Sequence, residues 1–91
     1  MNVIAMKMTN GDELIGRLEA ELKDCYEVSH LQHTMLQQGR DGQFGLAMMP
    51  YLVTNTDAKV QIHKSHVVCV FDPELEIEKN YLQRTSGIAL G

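Results

Sequence analysis

Val3-Ile-Ala-Met-Lys-Met-Thr-Asn-Gly-Asp-Glu-Leu-Ile-Gly-Arg-Leu-Glu-Ala-Glu-Leu22 is the stretch on which the reading of this chain turns. Two alternating segments meet at Asn10-Gly11. Asn-Gly is the strongest short hairpin signal, because a type I′ turn needs positive φ at both central residues. Ile4, Met6 and Met8 share one face of the first segment. Leu14, Gly16, Leu18, Ala20 and Leu22 share one face of the second, and Glu13, Arg17, Glu19 and Glu21 share the other. That is a period of two with one wet face, the mark of half-buried strands. Gly16 lies inside the second strand, where glycine is costly unless the strand bends or another backbone approaches closely. A bent strand after a tight hairpin is how a small, strongly curved barrel begins.

The strand pattern continues beyond this hairpin. Tyr26 to Gln37 is rich in Val, Leu, Thr and Tyr. Its apolar phase shifts between Val28 and Leu31, which predicts a bulge near Ser29-His30. Gly39-Arg40-Asp41-Gly42 is a turn. Phe44 to Val53 is apolar on both parities, so it is buried on both faces or meets another chain. Pro50 favours a sheet edge or a bulge. Val60 to Ile62 is a short strand, His63 to His66 a tight turn, and Val67 to Phe71 a last strand, again apolar on both parities. Asp72-Pro73-Glu74 reads as a helix start, with Asp as cap and Pro in the first turn. The helix is predicted to run to about Arg84, with Leu75, Tyr81 and Leu82 as its apolar stripe. Gly87 is a plausible end signal, and Ile88-Ala89-Leu90 forms a tail able to dock.

Ninety-one residues make one domain. It divides into strands over 1–72 and a helix with its tail over 73–91. A lone barrel of this size is marginally stable. The net charge of −4 counts against a generic nucleic-acid coat, since phosphate binding rests on clustered Lys and Arg. The charge is unevenly spread, however. Acids fill the blocks from Asp12 to Glu27 and from Asp72 to Glu78. Ala58 to Phe71 holds no acid but carries Lys59, His63, Lys64 and His66. No apolar window is long enough to span a membrane. Met1-Asn2-Val3 carries no export signal, so a cytoplasmic location is expected, with Cys25 and Cys69 as reduced thiols. His30 and His33 fall on opposite sides of a strand, and His63 and His66 have no third ligand placed by spacing. No metal or other cofactor is expected. No Ser, His and carboxylate are set by a motif for hydrolysis, so the chain is not read as an enzyme.

The first motif, apolar-x-apolar-x-x-Asn10-Gly11-x-x-apolar-x-Gly16-x-Leu18, resembles the first motif of the Sm and Sm-like proteins. The run Val60 to Phe71, V-Q-I-H-K-S-H-V-V-C-V-F, is similar in layout to their second motif. Ile62 and Val67 would bracket the turn, His63 would stand where that family has arginine, and Lys64 where it has glycine. The bacterial Sm-like RNA chaperones also have a basic turn here. The resemblance spans roughly residues 3 to 71. Having the first strand open the chain and the helix close it departs from most Sm proteins and is similar to Sm-like proteins encoded by tailed phages. It implies a mostly β fold: a small, bent, five-to-six-stranded antiparallel barrel with a C-terminal helix. It also implies a cyclic homo-oligomer. For function it implies an RNA-binding half-site at Asp24 and Tyr26 and a second at His63, Lys64 and His66. The family's Asn after the stacking residue is missing, and Val28 stands four residues beyond Asp24. Tyr26 is equally readable as an ordinary strand aromatic, and Lys64 as a solvated turn lysine. Two functions therefore stay open: a ring that binds single-stranded RNA weakly, and an oligomeric scaffold with no nucleic-acid surface.

Overall fold

A computed structural model describes residues 2–86. Six antiparallel strands form one sheet: β1 (Val3–Met8), β2 (Glu13–Glu21), β3 (Cys25–Gln38), β4 (Phe44–Pro50), β5 (Lys59–His63) and β6 (Val67–Phe71). One turn of 3-10 helix, Lys64–His66, joins β5 to β6, and helix α1 (Leu75–Thr85) ends the described chain. The strand order is β4-β3-β2-β1-β6, with β5 also on β3. Among the described residues no ladder joins β5 or β4 to β6, so the sheet does not close into the barrel expected from sequence.

The Asn10-Gly11 hairpin is present, but it is not the two-residue type I′ turn. Gly11 has φ of 96°, whereas Asn10 is not left-handed. The Met8 N–H donates to Asp12 O (2.8 Å) and the Gly11 N–H to Met8 O (2.9 Å). That is a three-residue loop whose last position is left-handed, the next most common hairpin geometry. Asn10 works through its side chain instead: its Oδ1 accepts from the Asp12 N–H at 2.9 Å. Such an Asx contact stabilises the turn locally.

Gly16 decides the middle of the sheet. Ile15 pairs with Gln32 and Arg17 with Ser29, so β3 carries one residue more than β2 opposite Gly16. The bulge predicted near Ser29-His30 therefore exists, and His30 has φ of 53°. A Cβ on Gly16 would meet Leu31 Cδ2 at 3.0 Å and the Ser29 carbonyl at 3.3 Å. A second irregularity places Glu19 as an extra residue on β2, between Leu18 and Ala20. It breaks the alternation read there, and Leu22 ends up exposed. Beyond the bulge β3 changes partner. Cys25 to Ser29 pairs with β5, and Gln32 to Gln38 pairs with β4. Pro50 ends β4 at the sheet edge, so Tyr51 to Val53 lies outside the strand predicted there. The Tyr51 N–H turns back to Leu31 O at 3.0 Å.

Two clusters of apolar side chains lie on the two faces. One packs Ile4, Met6, Met8, Leu14, Val28 and Leu31, with Tyr26, Val60, Ile62 and Val67 against them. The other packs Val3, Ile15, Met48 and Tyr81, with Ile77 and Leu82. The face of β2 read as wet is thus dry at Ile15, because α1 lies over it. The helix starts later than Asp72-Pro73 implied. Its N-cap is Glu74, with extended backbone and no side-chain bond. Asp72 precedes a proline and is pushed towards extended conformations, which delays the first turn. Ile77 replaces Leu75 in the apolar stripe, and Leu75 is 66% exposed. Gly87 and Ile88-Ala89-Leu90 lie outside the described residues. The helix end is instead met by Arg17, whose guanidinium donates to Thr85 O at 3.0 Å. A cation at a helix C-terminus satisfies a free carbonyl and complements the dipole.

Tyr81 is wholly buried, and its hydroxyl donates to the carbonyls of His30 (2.8 Å) and Ser29 (3.4 Å). Burial pushes its pKa up to about 12 from the usual 10. In the unfolded chain the phenol ionises near pH 10, and in the fold it holds its proton until about 12. Stability from Tyr81 is therefore complete below pH 10 and is lost as pH rises through that window.

Two outcomes follow. Gly16→Val destabilises by about 2 kcal/mol or more, because the new side chain presses on both the Leu31 side chain and the Ser29 carbonyl; an unchanged melting midpoint would show that the bulge tolerates it. Tyr81→Phe lowers stability by about 1 kcal/mol. Between pH 10 and 12 the parent loses more stability than this variant in parallel thermal melts, since only the parent has a buried phenol to ionise.

Candidate nucleic-acid interface

The β3–β5 ladder pairs Cys25 with His63 and Tyr26 with Ile62. That register sets the β2–β3 turn beside the β5–β6 turn, so residues some 40 apart in sequence become neighbours. The contact is fixed through backbone, since the Lys64 N–H donates to Asp24 O at 2.9 Å. The β2–β3 turn is itself closed by the Leu22 N–H donating to Cys25 O at 2.8 Å.

Lys64 then reaches across the junction. Its Nζ lies 2.8 Å from Glu21 Oε2 and 5.1 Å from the centroid of the Tyr26 ring. Tyr26 is half-buried against the first apolar cluster, so the ring has the core beside it and the ammonium over it. A cation above an aromatic face is attracted by the ring quadrupole. The hydrogen bond that its ammonium donates to Glu21 is the main cause holding Lys64 above its ordinary pKa; desolvation opposes it.

Of the five residues singled out from sequence, Asp24, Tyr26 and Lys64 therefore meet, although Asp24 contributes its carbonyl. His63 and His66 are placed differently. Their rings lie 6.5 Å apart and perpendicular. They line a half-open cleft of about 320 Å³ together with Met8, Thr9, Asn10, Tyr51, Gln61 and Ile62. Neither Tyr26 nor Lys64 lines that cleft. The 3-10 turn separates the two places: it sends Lys64 one way and the histidines the other.

The sequence alone places Glu21 on the wet face of the second strand and in an acidic block. Its role as the lysine's partner comes from the β3–β5 register, which spacing alone does not reveal. Tyr51 was missed for the same reason: it enters the cleft because Pro50 stops β4. Gln61 was findable, since it alternates with the inward Val60 and Ile62. The other two histidines are engaged elsewhere, His30 with Asp57 (3.6 Å) and His33 with Asp12 (3.3 Å). The bulge at His30 breaks the regular alternation that an odd spacing assumes. Cys25 is buried and Cys69 exposed, and both are free. Among the described residues no helix is long and apolar enough to cross a membrane.

No family model matches this chain, and no curated protein matches it at a significant level.

Proposed function

We propose that this chain is an Sm-like subunit that assembles into a cyclic homo-oligomer and binds single-stranded RNA weakly. The observation that carries the nucleic-acid part is the meeting of Tyr26 and Lys64 across two adjacent turns. One offers an aromatic face for a base and the other a charge for a phosphate. Base stacking of this kind is worth roughly 1–3 kcal/mol and is tolerant of sequence. The Sm-like reading is supported by the return of β6 to β1 after a single turn of 3-10 helix, at the position that resembles the second Sm motif.

Assembly is supported by the two ends of the sheet. β4 and β6 are both edge strands, and both carry exposed apolar side chains. Phe44 is 67% and Val68 64% exposed, with Met49, Val70 and Phe71 also in solvent. Open apolar edges of this sort aggregate unless they pair. Pairing β6 of one subunit with β4 of the next is a heterologous contact that closes into a ring when the rotation allows. A cytoplasmic setting goes with this reading. The scaffold alternative also has an observation in its favour, because Glu21 already neutralises Lys64.

Two measurements test the proposal. Light scattering at micromolar concentration gives a closed oligomer; a stable monomer would remove the assembly and most of the case for an Sm-like subunit. Filter binding with oligo-U and oligo-A gives saturable binding at low salt that falls as salt rises. Lys64→Glu abolishes this binding and leaves the oligomer intact, while Tyr26→Ala weakens it by roughly 1–3 kcal/mol. Without saturable binding at low salt the scaffold reading takes over.

A further inference from the structure

We infer that Glu21 makes the Lys64 site selective, admitting an anion joined to a planar base and turning away a bare polyanion. The inference rests on the proposed RNA reading and adds a discrimination that the reading does not contain. Lys64 is not a free cation. Its ammonium is 2.8 Å from the Glu21 carboxylate, its side chain lies over Tyr26, and its backbone N–H is held by Asp24. Only the side chain can move.

A phosphate that arrives alone exchanges one anionic partner of Lys64 for another. It also parts the Glu21 carboxylate from the ammonium that held it, with Asp24 and the exposed Lys23 in the adjacent turn. Ion pairs as exposed as this one change an equilibrium by no more than about fivefold, so the exchange gains little. The same movement uncovers the Tyr26 ring. A ligand whose phosphate is linked to a base can then stack on the bared ring, and stacking is worth about 5- to 150-fold. A ligand without a base has no such return. The carboxylate thus acts as a resident competitor that a nucleotide displaces and a phosphate polymer does not.

The test is competition against labelled oligo-U, using inorganic polyphosphate and an abasic oligonucleotide of matched length as probes. The parent binds oligo-U about tenfold or more tightly than either probe at equal charge. Glu21→Gln strengthens polyphosphate binding by about two- to fivefold and narrows the discrimination. In a K64Q background the same Glu21 substitution has no such effect, because the coupling runs through the lysine. Polyphosphate displacing oligo-U from the parent as readily as oligo-U itself overturns the inference. So does equal polyphosphate binding by parent and Glu21→Gln, or an equal gain with and without Lys64. If the parent fails to bind oligo-U while Glu21→Gln binds polyphosphate more tightly than the parent, the RNA reading falls and the exclusion of bare anions by Glu21 stands.

Discussion

The space left by the absent side chain at Gly16 is filled by β3, and most of the architecture depends on that contact. With no Cβ in the way, Leu31 and the Ser29 carbonyl approach Gly16 closely, and β3 accommodates one residue more than the strand beside it. The extra residue, His30, is left-handed, and the strand on either side of it takes a different partner. A bulge bends its strand and raises the local twist. Here it also divides one fourteen-residue strand into a half for β5 and a half for β4. It presents the carbonyls of Ser29 and His30 to Tyr81 as well. One constraint in β2 thereby seats the C-terminal helix on one face and steers the β5–β6 connection on the other.

The candidate interface inherits its geometry from that division. β5 lies on the first half of β3 alone, so the turn that follows it falls level with the turn that precedes β3. The bond between the Lys64 N–H and Asp24 O locks the two turns at backbone level. The Tyr26–Lys64–Glu21 arrangement therefore needs no long-range fit of side chains. It follows from ladder register, and a one-residue slip of β5 along β3 would turn the side chains of β5 to the opposite face and shift Lys64 away from Tyr26.

Much of the strand framework was legible in the sequence because it is local. The Asn10-Gly11 turn, the glycine in β2, the phase shift at Ser29-His30 and the proline at the end of β4 each leave a mark within a few residues. What could not be read depends on contacts distant in sequence. Ile15 sits among charged neighbours in alternation, and only the arrival of α1 dries that face. The late start of the helix at Leu75 is an exception, since the proline after Asp72 is itself a local signal for extended backbone. At the interface, Asp24, Tyr26 and Lys64 were each picked out from residue type and motif position. The separation of His63 and His66 from them was hidden, because four consecutive residues in a tight turn point in several directions. The partnership of Glu21 with Lys64 links positions 43 residues apart and leaves no local trace.

The weakness of each site bears on why assembly and binding belong together in the proposed function. Lys64 already paired with a carboxylate and Lys23 in the next turn, in a chain of net charge −4, cannot hold a phosphate backbone by charge alone. Repeating the site around a closed ring changes the problem. Once one nucleotide is seated, the next site meets the same strand at an effective concentration set by the short tether between nucleotides, and modest contacts multiply. The linkage also runs in reverse. A ligand that touches several subunits stabilises the assembled state over the free subunit. Weak sites on so small a fold are thus mutually reinforcing when they share one strand. A monomer carrying the same Tyr26 and Lys64 would have neither the affinity nor the closed edges.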